Sequence, residues 1–303
     1  MIKVEKFDIR ADGRVSKEDI LYCEKHQQAW DEARKAFTDL REKWQGIIKR
    51  QNDILGEEEN KYLPYLNWDN CITLTAIDEK LESLPRTFID IIVQYFNTTY
   101  KVSISSYDIE TELLPERPST IYREKGDEKA YEEYEESLRT MTLRYEDILE
   151  QILARLGESS FTEKALDELK ERCRGAVWNS YLKRADFEVK NDTIKFQRYF
   201  CSYEHWLGKD KWEVSQGFKD VLRCAAHFET NSLKLFPFGF SELLGHSGSN
   251  TPIINIWNSD KLSQIRMYKN GRVDLKFMNA QLADQFAQEY LHLDFEVTKT
   301  EAL

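Results

Sequence analysis

The chain has 303 residues, of which 32% are charged, 41% apolar and 13% aromatic, with a formal net charge of −11 and a pI near 5.2. So many aromatic residues exclude a disordered chain, and the length allows two domains with full cores. The acidity excludes non-specific nucleic-acid binding by the whole surface, leaving only a local basic face for such a role.

No apolar run of eighteen residues exists, and MIKVEKFDIR at the start carries charges where a signal peptide needs an apolar stretch. Cys23, Cys71, Cys173, Cys201 and Cys224 are odd in number and scattered, with no C-x-x-C. Reduced thiols in a cytoplasm, with no membrane contact, are therefore expected. Only 12 Gly and 6 Pro leave few tight loops, so composition favours long solvated helices.

In chain order, Met1 to Arg10 alternates like a strand, and Ser16-Lys17-Glu18-Asp19 can cap a helix. Apolar positions then follow at steps of three and four: Ile20, Cys23, Trp30, Ala33, Phe37, Leu40, Trp44 and Ile47, with Gln27 in the one missing place. That stripe predicts a long helix laid along its own domain; it is also a candidate seam for a homodimer. Charge, Pro64 and aromatic residues break the helix over 56–70. A second helix is predicted over about 72–100, interrupted or begun afresh at Pro85, with Phe88, Ile91, Ile92, Tyr95 and Phe96 on its apolar face. Lys101 to Ile104 reads as extended, and 112–129 as an exposed connection.

One further helix is predicted over 130–156, with a seam of Tyr134, Leu138, Met141, Tyr145, Ile148 or Leu149, Ile152 and Leu156. Ser160-Phe161-Thr162-Glu163 is a capping box that opens a helix on Leu166, Leu169, Cys173 and Val177. Between Asp108 and Ser160 stand 15 acidic and 7 basic residues, most of the chain's excess charge.

The pattern changes after Trp178. Phe187 and Val189, then Ile194 and Phe196, alternate around Asn191-Asp192 and predict a hairpin. A helix is predicted over 213–228, an irregular stretch after it, and a final helix over about 280–291. Between the last two, Ile265 and Met267 precede Asn270-Gly271, and Val273, Leu275 and Phe277 follow. Asn-Gly between alternating apolar residues predicts a second hairpin closed by a type I′ turn. The expected fold is α+β: an acidic bundle of long antiparallel helices over 1–180, then an α+β domain with two hairpins over 181–303.

These same residues carry a resemblance. ADFEVKNDTIKF, a helix ending CAAHF, and then IRMYKNGRVDLKFMNAQLADQF resemble an uncharacterised bacterial family, a domain of unknown function common on plasmids, prophages and integrative elements. The likeness rests on Asp186-Phe187-Glu188-Val189, the strand around Ile194 and Tyr268-Lys269-Asn270-Gly271 with Phe277, and it covers about 180–291. In some relatives the domain accompanies an adenine-type DNA methyltransferase. This chain has no Asn-Pro-Pro-Tyr or Asp-Pro-Pro-Tyr to hold a flipped base, so the resemblance implies an accessory rather than a methyltransferase.

Chemistry has few candidates. Cys201 and His205, with Cys224 and His227, offer four zinc-type ligands in two close pairs, although their spacing matches no standard finger. A packed cysteine and a satisfied core histidine explain each pair equally well, and no orienting Asp or Asn completes a Cys-His nucleophile. SELLGHSGSN sets His246 between Gly245 and Gly248, but lacks the spacing of a phosphate loop. H-E-x-x-H, G-x-S-x-G and the dinucleotide fingerprint are absent, so no cofactor is implied.

For DNA, the candidate contacts are Lys195, Arg198, Arg266, Lys269, Arg272 and Lys276, accompanied by Lys183, Arg184, Lys190, Tyr181, Phe196 and Tyr199. Asp186, Glu188, Asp192 and Asp274 dilute that face. The expectation is a non-catalytic binding protein of a mobile element, acting through a protein partner or through DNA held by the C-terminal domain. An acidic DNA mimic presenting carboxylates of 124–150 is the alternative; an enzyme or zinc protein centred on His246 or the Cys/His set is the third.

Overall fold

A computed structural model describes residues 13–56, 58, 73–118, 127–197, 199–206, 209–245 and 248–291. The strand expected over 1–10 and most of the break at 56–70 lie outside them. The chain forms two compact units, Met1–Phe161 and Thr162–Leu303. None of the described helices is long and apolar enough to cross a membrane.

The N-terminal unit is built on α1 (Lys17–Leu55) and α2 (Leu74–Tyr100). Ser16 accepts from the Asp19 amide, and the Asp19 carboxylate accepts from the Ser16 amide in return, so the expected cap starts α1. The two helices run antiparallel, with Tyr22 stacked on Tyr95, Trp30 on Phe88 and Arg41 ion-paired with Asp78. The seam offered to a second copy thus runs, over this length, against the chain's own α2. Helix α2 passes through Pro85 unbroken, because Leu84, Pro85 and Phe88 are all buried and packing outweighs one missing donor. After it, Val102 and Ile104 are buried, and neither is paired in a strand among the described residues. The Asn97 side chain takes both backbone groups of Ile104, donating to its carbonyl and accepting from its amide.

A short helix not anticipated from the sequence, α3 (Ser106–Leu113), occupies residues just before the expected connection and the first of its own. The single helix expected over 130–156 is two: α4 (Asp127–Thr140) and α5 (Tyr145–Leu156). Two side chains of α1 hold the break open. Arg34 donates to the carbonyls of Leu138, Arg139 and Met141 at the end of α4. Gln27 donates to the Leu143 carbonyl and accepts from the Tyr145 amide. Gln27, the gap in the apolar stripe, is therefore a polar peg, and Leu143 fills the core place that the seam assigned to Met141.

In the C-terminal unit, α6 (Phe161–Val177) sends Leu169, Cys173 and Val177 into one core with the sheet. The division between units falls at 161/162, earlier than the expected 180, because these side chains are buried with the strands that follow them.

Next comes a small ribbon, β1 (Trp178–Asn179) paired with β2 (Arg184–Ala185). The main sheet has five strands, all antiparallel, in the order β3-β4-β9-β8-β7: β3 (Phe187–Lys190), β4 (Thr193–Phe196), β7 (Ile253–Asn255), β8 (Leu262–Met267) and β9 (Val273–Phe277). A separate hairpin, β5 (Cys201–Trp206) with β6 (Lys209–Val214), was not anticipated; it takes Glu213 and Val214 from the expected helix. Helix α7 (Gln216–Thr230) begins at its Ser215 cap, and its Phe218 and Phe228 pack against Phe196 and Phe277 of the sheet. The irregular stretch contains α8 (Phe240–Leu244) and β7, and α9 (Ala280–Phe286) continues as a π-turn to Leu291.

The hairpin at Asn270-Gly271 exists, but its turn is not type I′. Gly271 donates to Tyr268, Tyr268 donates to Arg272, and only Gly271 of the pair has a positive φ, 84°. This is the three-residue loop. A two-residue loop would set Met267 opposite Asp274, and paired residues share a face. Pairing Met267 with Val273 keeps Met267, Val273, Leu275 and Phe277 all inside.

Candidate nucleic-acid interface

Alternation fixes what each face of the sheet carries. One row across all five strands is apolar: Val189, Ile194, Leu275, Ile265 and Ile254. The next row, on the outer face, reads Glu188, Lys195, Asp274, Arg266 and Ile253 in register. Charges of opposite sign face each other at every step from Glu188 to Arg266, each such pair contributing about 0.2–1 kcal/mol.

The remaining candidates are engaged in the same way. Arg272 lies 3.2 Å from Asp274 and, with Arg266, over the Tyr268 ring, whose hydroxyl donates to Asp274. Lys276 is 3.5 Å from Asp192, and Lys269 sits over the Tyr203 ring. The hairpin tip is itself docked, since the Gly271 carbonyl accepts from the amides of Phe200 and Cys201. Phe196, expected among the contact aromatics, is wholly buried in the core. Arg198 lies outside the described residues.

Cations with no ion pair among the described residues, and exposed rings, lie on the ribbon instead. Trp178, Tyr181 and Leu182 are exposed, Tyr181 at 97%, and Tyr199 is exposed at 84%. Asn179 shapes the tip by accepting from the amides of Tyr181 and Leu182, and Lys183 adopts a positive φ of 48°. Lys183 and Arg184 are exposed, and the ribbon from Trp178 to Ala185 contains no carboxylate. Trp178 and Leu182 were missed by sequence reasoning. Their signal was an apolar residue at each end of a run, WNSYL, that follows neither helical nor strand spacing.

The four Cys/His candidates are not gathered. Among the described residues no group of three or more His, Cys, Asp or Glu side chains is placed to hold a metal. The Cys201 thiol contacts the Tyr268 and Arg272 carbonyls, and His205 is bonded to Asp210 at 2.7 Å. The Cys224 thiol, buried beside Cys173, points at the Leu169 carbonyl. Burial raises both the Cys201 and the Cys224 thiol, and the neighbouring Cys173 raises Cys224 further, so neither is a ready nucleophile.

His227 is buried, with Nδ1 2.7 Å from the Tyr290 hydroxyl. Burial lowers its pKa against the pull of Glu289, so folding favours the neutral ring. Its contribution is complete above the unfolded value of about 6.5 and is lost as pH falls below it. Urea unfolding at pH 7 and pH 5 is expected to show a smaller pH-dependent loss in His227→Gln than in the wild type; an unchanged loss would clear His227 of this role.

In the loop around His246, Gly248 has a φ of 66°, and a Cβ there would lie 2.6 Å from the Trp212 carbonyl oxygen. Ser249 pairs with Trp212 through both backbone groups, and the Gly245 carbonyl accepts from Lys219. The described glycines serve close backbone packing; His246 itself is outside the described residues. Comparison with family models, with curated proteins and with solved structures found no match to this chain.

Proposed function

We propose that the chain is a non-catalytic accessory protein of a bacterial mobile element, working in the cytoplasm and contacting nucleic acid through its C-terminal unit. The partition of charge carries this reading. Residues 1–161 hold 34 acidic and 23 basic side chains, the whole of the net −11, whereas residues 162–303 hold 20 of each. A phosphate backbone is therefore repelled by one unit and not by the other. The mobile-element context rests on the resemblance over 180–291. The acidic unit suits a protein partner.

The DNA-mimic alternative needs a regular row of free carboxylates. Helix α4 exposes Glu132, Glu133, Glu135 and Glu136, but Glu133 is paired with Lys129 and Glu136 with Arg139, so the row is broken.

The test is fluorescence anisotropy of labelled single-stranded and duplex DNA with the full chain at about 50 and about 200 mM salt. Binding that weakens with salt is expected, and Lys269→Ala with Lys276→Ala should change the affinity less than about twofold, because both cations are already engaged. No binding of either DNA at the lower salt would remove nucleic acid from the function.

A further inference from the structure

We infer that the β1–β2 ribbon, with Tyr199, is a stacking platform for single-stranded nucleic acid. The inference rests on the reading that the C-terminal unit contacts nucleic acid, and it names the form of the ligand and the residues that hold it. Three features favour a single strand. First, Trp178, Tyr181 and Tyr199 are exposed, and none of them packs on another ring among the described residues. A protein hot spot gathers its rings into one desolvated patch, whereas separate rings suit unpaired bases, each of which needs its own face.

Second, Lys183 and Arg184 follow directly and form no ion pair among the described residues, unlike Arg272 and Lys276 on the sheet. With no carboxylate on the ribbon, they can track a phosphate backbone without first breaking a pair. Third, the backbone just after the ribbon is bonded both to the residue before it and to the end of β4. Asp186, just after β2, donates to the Val177 carbonyl and accepts from the Gln197 amide, two residues before Tyr199. Duplex DNA keeps its bases stacked on each other, so it offers such rings no free base face along its length.

The test uses the full chain, labelled oligothymidine and a duplex of equal length in anisotropy titrations. Oligothymidine is expected to bind more tightly than the duplex. Tyr181→Ala should weaken oligothymidine roughly tenfold while leaving duplex binding alone. Lys183→Glu with Arg184→Glu should reduce the salt slope for oligothymidine. All three side chains are exposed, and an unchanged thermal melt confirms that each variant folds. If the protein binds DNA but the ribbon variants match the wild type, or if duplex is preferred, the platform is overturned and a protein partner becomes the occupant of the ribbon. If the full chain binds neither DNA, the broader reading falls with it.

Discussion

Asp19→Ala is expected to lower the unfolding free energy by about 3–5 kcal/mol, read from urea denaturation. The side chain is 1% exposed, and its carboxylate accepts from the Ser16 amide at 2.7 Å, Tyr95 at 2.9 Å and Tyr100 at 2.5 Å. Alanine would leave all three donors without their acceptor; the Ser16 hydroxyl would still accept from the residue-19 amide, so only the carboxylate half of the capping box is lost. Burial alone would raise the Asp19 pKa; hydrogen bonds from Tyr100, Ser16 and Tyr95 together outweigh it and hold the group below the usual carboxylate range. Asp19 therefore stabilises the fold fully above the unfolded value of about 3.9, and that contribution is lost as pH falls through the lower folded value. Acid unfolding of Asp19→Ala should accordingly show a shallower fall at low pH than the wild type. A variant within about 1 kcal/mol of wild type would mean that water satisfies the two tyrosines and the cluster does not fasten α1 to α2.

Gly248→Ala is expected to cost about 2–4 kcal/mol, since it forces both a left-handed backbone and a clash with the Trp212 carbonyl. A Cβ at Gly248 also meets the Glu213 side chain at 2.9 Å; that side chain can turn aside, but the Trp212 carbonyl is backbone and cannot yield without disturbing β6. Gly175→Ala in α6 is the contrasting substitution. Nothing lies within 4 Å of its Cβ position, and a helical glycine replaced by alanine should gain up to about 1 kcal/mol. Thermal melts of the two variants separate the readings of the loop: near-equal stability would mean that Gly248 is not held for packing, and would return the SELLGHSGSN segment to the list of candidate sites.

Much of the fold was legible because it depends on period alone. The Ser16 cap, the stripe of α1, the seam of α5 and the alternation of β3, β4, β8 and β9 each follow from residues within one element. The turn at Gly271 was legible too, had register been weighed above dipeptide preference, because Met267 and Val273 can share a face only across an odd loop. The split between α4 and α5 was not legible. Its cause is Arg34 and Gln27, more than a hundred residues earlier, taking backbone groups that a continuous helix would have used. The β5–β6 hairpin was obscured because Tyr203 is only half buried beside Trp212, and the run between them, EHWLGKDK, does not alternate apolar with polar residues.

The candidate site shows the same division. By itself the sequence determined which residues are basic, which are aromatic, and that the acidic excess belongs to the first half. Only the tertiary structure decided which cations are free. Strand register sets Lys195 and Arg266 against Asp274, and it gathers Arg272 and Tyr268 around the same carboxylate, while the ribbon leaves Tyr181, Lys183 and Arg184 facing water. Composition fixes how much charge a surface holds, but pairing across strands fixes how much of it remains for a ligand.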